Sequence, residues 1–167
     1  MINIILTGSI KALLDEYKKA IDELISNIKP LNESQLCIIV DNYTEDTDCK
    51  SIQTVLTHIV CSGYGYTIYM ENAIGLNKTR PGKLSFNTVN QYINQLNLMF
   101  KYCENFFHSN PNLLIEQTDI SKKIIVNWGQ QYDIEQLLEH AIVHILRHRR
   151  QIENFIKKQD EQNIESK

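Results

Sequence analysis

Apolar positions recur at intervals of three and four residues along four long stretches of this chain, which is the period of a helix with one buried face. The first stretch runs from about Thr7 to Lys29: Ile10, Leu13, Leu14, Tyr17, Ile21, Leu24, Ile25 and Ile28 fall on one stripe. Lys11, Asp15, Glu16, Lys18, Lys19, Asp22 and Glu23 fall on the opposite face, and Pro30 stops the pattern. The second, from about Ser51 to Asn72, carries Ile52, Val55, Leu56, Ile59, Tyr66 and Met70, with Asp48 or Ser51 as its cap. The third, from about Ser85 to Ser109, carries Val89, Ile93, Leu96, Met99, Phe100, Cys103 and Phe107 before Asn110-Pro111 ends it. The fourth begins at Asp133, which caps it, and is expected to fray near Lys158 into a polar tail.

Four amphipathic helices bury their stripes best against one another, so the pattern predicts an all-α four-helix bundle occupying residues 1–167 as one domain. The connections are long. Pro30 to Lys50 is long enough to cross the end of the bundle, so the first and second long helices need not be antiparallel neighbours. Within it, Cys37-Ile-Ile-Val40 reads as a buried anchor or a brief extended segment. Between the third and fourth long helices, Lys122 to Gly129 is β-branched and reads as a short strand or an extended lid. Gly63 and Gly65 interrupt the second stretch, either permitting close packing or bending it.

The chemistry lies on the fourth stretch, where His140, His144 and His148 follow at four-residue spacing. Side chains at i and i+4 stand one above the other on a helix, roughly 6 Å apart along the axis, so two imidazoles there can converge on one metal ion. With His144 at zero and about 100° per residue, the apolar stripe spans roughly 60° to 120°. His148 then falls near 40°, at the margin of the buried face, and His140 near roughly −40°, toward solvent. The count selects His144 and His148 as the ligand pair and leaves His140 as a neighbour or an exposed side chain. His58 bears the same relation to the stripe of the second helix. One histidine there plus the pair on the fourth helix supplies three nitrogen ligands and leaves a further position for water or substrate, as in catalytic zinc sites.

The residues His144-x-x-x-His148-Arg149-Arg150-Gln151-Ile152 resemble the H-x-x-x-H-R-G-Q-[IL] signature of the DinB/YfiT-like (damage-inducible protein B-like) family. Ser51 to Val60 resembles that family's second-helix segment, which carries its first metal-binding histidine. The resemblance covers essentially the whole chain in helix order and motif interval. It implies a four-helix bundle with a divalent metal, zinc or nickel, on His58, His144 and His148. It also implies a metal-dependent transferase or hydrolase, most concretely one that transfers a low-molecular-weight thiol to an electrophile, and a homodimer. Arg150 stands where the family signature has glycine, and the tryptophan often found at the start of the second-helix segment is absent.

Around these ligands, Cys61 either approaches the metal or is a small buried hydrophobe, the reading preferred here. Gln151 shares the His144 face and is placed to orient an imidazole. Tyr66 and Tyr69 are pocket walls or core aromatics. Arg147, Arg149 and Arg150 with His148 form a basic cluster able to meet phosphate; the reading preferred here is that Arg149 and Arg150 favour the C-terminal half of the helix or pair with acidic residues on the first helix.

Composition narrows the classes of function. A net charge of −3 argues against a nucleic-acid binder. The four cysteines, Cys37, Cys49, Cys61 and Cys103, form no CxxC pair, which favours reduced thiols over a disulfide framework or a zinc ribbon. The apolar run at Met1 to Leu6 is too short for a signal peptide, and no stretch approaches the ~20 apolar residues of a membrane span. The expectation is a cytoplasmic protein acting on a small molecule, with neither membrane nor nucleic acid as partner. The alternative is a non-catalytic metal- or ligand-binding bundle.

Overall fold

Four long helices hold the computed structural model together: α1 (Gly8–Ile28), α3 (Ile52–Ala73), α4 (Val89–Ser109) and α5 (Ile134–Glu165). A short helix α2 (Glu33–Cys37) and a hairpin of β1 (Ile124–Ile125) and β2 (Gln131–Tyr132) complete it. The structure describes residue 6 and residues 8–165. The start expected at Thr7 and the proposed Met1–Leu6 apolar run therefore lie, wholly or largely, outside the described residues.

Three helix starts are written in local chemistry. Ser51, Thr88 and Asn32 each accept a hydrogen bond from the backbone N–H three residues on, and the side chains of Thr54, Gln91 and Gln35 answer by accepting from the cap's own N–H. Asp133 and Gln136 make the same reciprocal pair at the head of α5. Ser51, not Asp48, is thus the cap of α3, and the Thr88–Gln91 pair sets the start of α4 at Val89 rather than near Ser85.

α1 packs on α4 and α5, and α3 packs on α4 and α5, so α1 and α3 occupy opposite corners. Glu23 meets Arg149 and Asn27 meets Glu153, which makes α1 and α5 parallel. His58 meets His148 while Tyr66 meets His140, so α3 runs antiparallel to α5. Thr57 meets Tyr92 and Gly63 faces Met99, so α3 and α4 are parallel. The order is up, down, down, up. Parallel neighbours need a connection that returns the length of the helix, and residues 74–88 do this along the outside of α3: Arg80 lies over Gly65, Lys83 reaches Asp48, and the Phe86 carbonyl accepts from Gln53.

The core runs through all four helices, with Ile21, Leu24, Ile28, Leu56, Ile59, Met70, Tyr92, Leu96, Phe107, Leu137, Leu138 and Ile152 almost wholly shielded from solvent. Gly63 is there for contact: a Cβ at that position would lie 2.1 Å from the Met99 sulfur. The glycines of α3 thus serve close packing.

Two expectations change. α5 does not fray near Lys158 but continues to Glu165, because Gln159 is buried and its Nε2 donates to the Gln35 carbonyl at 3.0 Å. The main anchor of the α1–α3 connection is Leu36 on α2, whereas Cys37, Ile38 and Ile39 are exposed; Val40 is half-buried against the core and ties its N–H to the Lys50 carbonyl. The β-branched segment before α5 is both strand and cover. Ile124 pairs with Tyr132 and Ile125 with Gln131, and Gly129 supplies the positive φ that the tip requires. Among the described residues, no helix is long and apolar enough to cross a membrane.

Candidate metal centre

The antiparallel contact of α3 with α5 brings three imidazoles to one point. Ring centroids of His58 and His144 are 4.9 Å apart, those of His58 and His148 4.9 Å, and those of His144 and His148 4.4 Å. One ring nitrogen from each lies within 4.8 Å of the other two, close enough to hold a metal ion. The closest pair is Nε2 of His58 and Nε2 of His144, at 2.9 Å. Two ligands held about 2.0–2.1 Å from a common ion stand roughly 3 Å apart, so this pair already has the spacing of a shared coordination sphere.

Two of the outer nitrogens are held from behind. Asp48, on the turn just before α3, accepts from His58 Nδ1 at 3.0 Å. Gln151, one turn beyond His148, accepts from His148 Nδ1 at 2.8 Å. A carboxylate has no proton to give, so His58 carries its hydrogen on Nδ1 and turns the lone pair of Nε2 inward. His148 is fixed in the same sense. Facing lone pairs on adjacent rings repel unless a proton or a cation lies between them. That is the donor set a divalent ion calls for.

The electrostatics keep the His144 and His148 rings neutral. Burial, then the neighbouring His148 and His58, holds the His144 pKa at about 2. Burial lowers that of His148 as well, although its bond to Gln151 opposes the shift. At Asp48 burial acts to raise the pKa, but the Lys83 ammonium, 2.6 Å away, and the His58 ring overcome it and hold the carboxyl below its usual range.

The chain matches no protein-family model, no curated protein and no solved structure. Its chemistry is therefore read from its own atoms.

A cleft of about 520 Å³ opens beside the three histidines. Tyr66 and Tyr69 both line it, and Tyr66 sets its ring edge-on to His144 and to His140. The hairpin tip closes one side. Trp128 stacks on His140 with centroids 5.5 Å apart, and the Asn127 N–H donates to the Tyr69 hydroxyl at 3.0 Å. His140 is half-buried rather than turned to solvent. Its ring is 6.3 Å from that of His144, its Nδ1 is 3.2 Å from the Tyr132 hydroxyl, and it belongs to the aromatic wall instead of the ligand cluster.

Cys61 is buried and meets the Arg80 guanidinium at 3.5 Å, in keeping with a small packed residue. Arg149 pairs with Glu23 of α1, as its place on α5 implied. Gln151 does orient an imidazole, but it is that of His148. Sequence reasoning missed Asp48 as the support of His58, and it missed Arg80, Lys83 and Trp128 as cleft residues. An acid ten residues ahead of a helical histidine was a signal that could have been followed. For the loop residues there was none, since their approach depends on how residues 74–88 and 124–132 fold back.

Proposed function

We propose that this protein binds one divalent metal ion through His58, His144 and His148 and uses it as a metal-dependent enzyme on a small-molecule substrate. The observation that carries the reading is the meeting of three imidazoles, two of them held from behind by Asp48 and Gln151, at the floor of an aromatic-walled cleft. A divalent ion held by neutral ligands keeps its full charge and lowers the pKa of a bound water or thiol. The chain's own residues do the rest. Asp48 and Gln151 hold the rings in the ligating tautomer, and Tyr66 and Trp128 limit water at the cleft.

Within that reading we favour transfer of a low-molecular-weight thiol to an electrophile, with zinc or nickel as the metal. The support is the likeness of the His144 to Ile152 segment to the DinB/YfiT-like signature, which also favours a homodimer. A cytoplasmic setting accords with cysteines that the structure leaves as free thiols.

The test is elemental analysis of protein purified without added metal, repeated on His58→Ala and His144→Ala. One ion per chain in the parent and loss of that ion in both variants, with helicity retained, is the expected result. An equal metal content in the variants would sink the assignment. Metal-loaded protein is then incubated with small thiols and an electrophile. Thiol consumption that disappears on metal removal supports the enzyme, and its absence leaves the non-catalytic metal-binding bundle.

A further inference from the structure

Two arginines from separate parts of the chain border the cleft beside the three histidines. Arg147 comes from α5, between His144 and His148, and Arg80 comes from the returning connection. Among the described residues neither meets a carboxylate within ion-pair range. Arg149, by contrast, pairs with both Glu23 and Glu153. The chain has 20 acidic side chains against 17 basic ones, so the unpaired guanidiniums do not reflect a shortage of acids. Two acids also line the cleft: Asp48 holds Lys83 and His58, and Asp46, which keeps its charge, accepts from the Asp48 N–H at 2.9 Å and the Cys49 thiol at 3.4 Å. With Lys83 the lining carries three cationic side chains against two carboxylates.

Arg80 is also seated. Its Nε lies 2.8 Å from where a Cβ on Gly65 would be, so the bare backbone of α3 is what lets the guanidinium lie down beside the cleft. Both guanidiniums border the cleft that Tyr66 lines. The Tyr66 ring in turn stands edge-on to His144, 5.5 Å between centroids. Two guanidiniums without carboxylate partners at one cleft focus a positive potential there, which a metal ion held by the imidazoles would reinforce.

We propose that Arg80 and Arg147 form an anion-binding subsite of this cleft, which takes the carboxylate or phosphate group of a small organic substrate while the substrate's reactive end reaches the three histidines. The planar donor fork of a guanidinium suits either oxyanion. The substrate class rests on the reading of the cleft as the substrate site of the metal centre; the subsite itself rests on the arginines alone.

The experiment uses the full chain, with and without metal, and follows the fluorescence of Trp128, the single tryptophan, which lines the same cleft. The probes are phenylacetate, phenyl phosphate and the neutral phenylacetamide. In both metal states the two anions bind saturably and the amide binds at least about tenfold more weakly, since a hydrogen bond to a charged group contributes about 1.5–3 kcal/mol. The tighter of the two anions distinguishes a carboxylate from a phosphate substrate. Arg80→Gln and Arg147→Gln each weaken anion binding about tenfold or more and leave metal content unchanged. Gly65→Ala weakens it in the same direction as Arg80→Gln, because a methyl group displaces only the end of a flexible side chain, and the melting temperature stays near that of the parent. The proposal is overturned if amide and anions bind alike, if no probe binds, or if the double variant Arg80→Gln/Arg147→Gln binds the anions as the parent does. Loss of metal binding with arginine-dependent anion binding intact would refute the metal reading and leave the subsite standing.

Discussion

Asp48→Asn separates the two things a carboxylate does behind a ligating histidine. The side chain accepts from His58 Nδ1 at 3.0 Å and from Lys83 Nζ at 2.6 Å, and those two partners keep it ionised against the effect of burial. Asparagine keeps the size and an oxygen able to accept the His58 hydrogen, but it removes the charge that makes Nε2 a better donor to a cation. Loss of such a supporting group weakens metal affinity about 10- to 100-fold, or roughly 1.4–2.8 kcal/mol. Freeing Lys83 adds little, because an ammonium with a side chain 48% exposed contributes at most about 1 kcal/mol through its pair. The assay is competition against a chromophoric chelator, with the melting temperature of the metal-free protein as the control for folding. Lys83→Met is the companion variant. It removes a competing cation from Asp48, so metal affinity should hold or rise slightly. Affinity of Asp48→Asn within about twofold of the parent would refute the support role. Equal weakening in both variants would show instead that Asp48 acts only by tethering the connection that carries Lys83.

Three further outcomes are expected. His144 stays neutral in the fold down to a pKa of about 2, whereas in the unfolded chain it takes up a proton below its ordinary 6.5. The unfolded state therefore binds more protons below that point, and the metal-free protein loses stability as pH falls from 6.5 to 5, by about 1.5 kcal/mol from this residue. Urea unfolding in the presence of a chelator measures it, and a slope unchanged in His144→Leu would contradict the argument. Gly63→Ala forces a methyl group to within 2.1 Å of the Met99 sulfur in a fully buried contact. Overpacking of about 1–3 kcal/mol exceeds the helical gain of at most about 1, so thermal unfolding should come earlier, and Met99→Ala should cost less in that background than in the parent. His140→Ala should leave the metal content per chain unchanged, because that ring stacks on Trp128 rather than joining the three. A protein that lost its ion with this change would require a different ligand set.

The chain's own pattern determined the four long helices, because a stripe at 3.6-residue period finds cover only against other stripes, and the capping pairs Ser51–Thr54, Thr88–Gln91 and Asp133–Gln136 mark three of their starts locally. It also ranked the histidines: the angular offset that separates His148 from His140 is a property of one helix and needs no neighbour. What lay beyond it were relations between segments. Whether His58 faces His144 depends on α3 running antiparallel to α5, and the company of Asp48, Arg80, Lys83 and Trp128 depends on where three connections fold back. Helical periodicity carries no information about those returns, because loop residues are placed by contacts many positions away and obey no period of their own. The continuation of α5 past Lys158 has the same origin, since a glutamine that reads as tail in the sequence is held in place by a carbonyl on α2. The candidate ligands were thus legible on their own helices, while their meeting and the surroundings that tune them existed only once the bundle had closed.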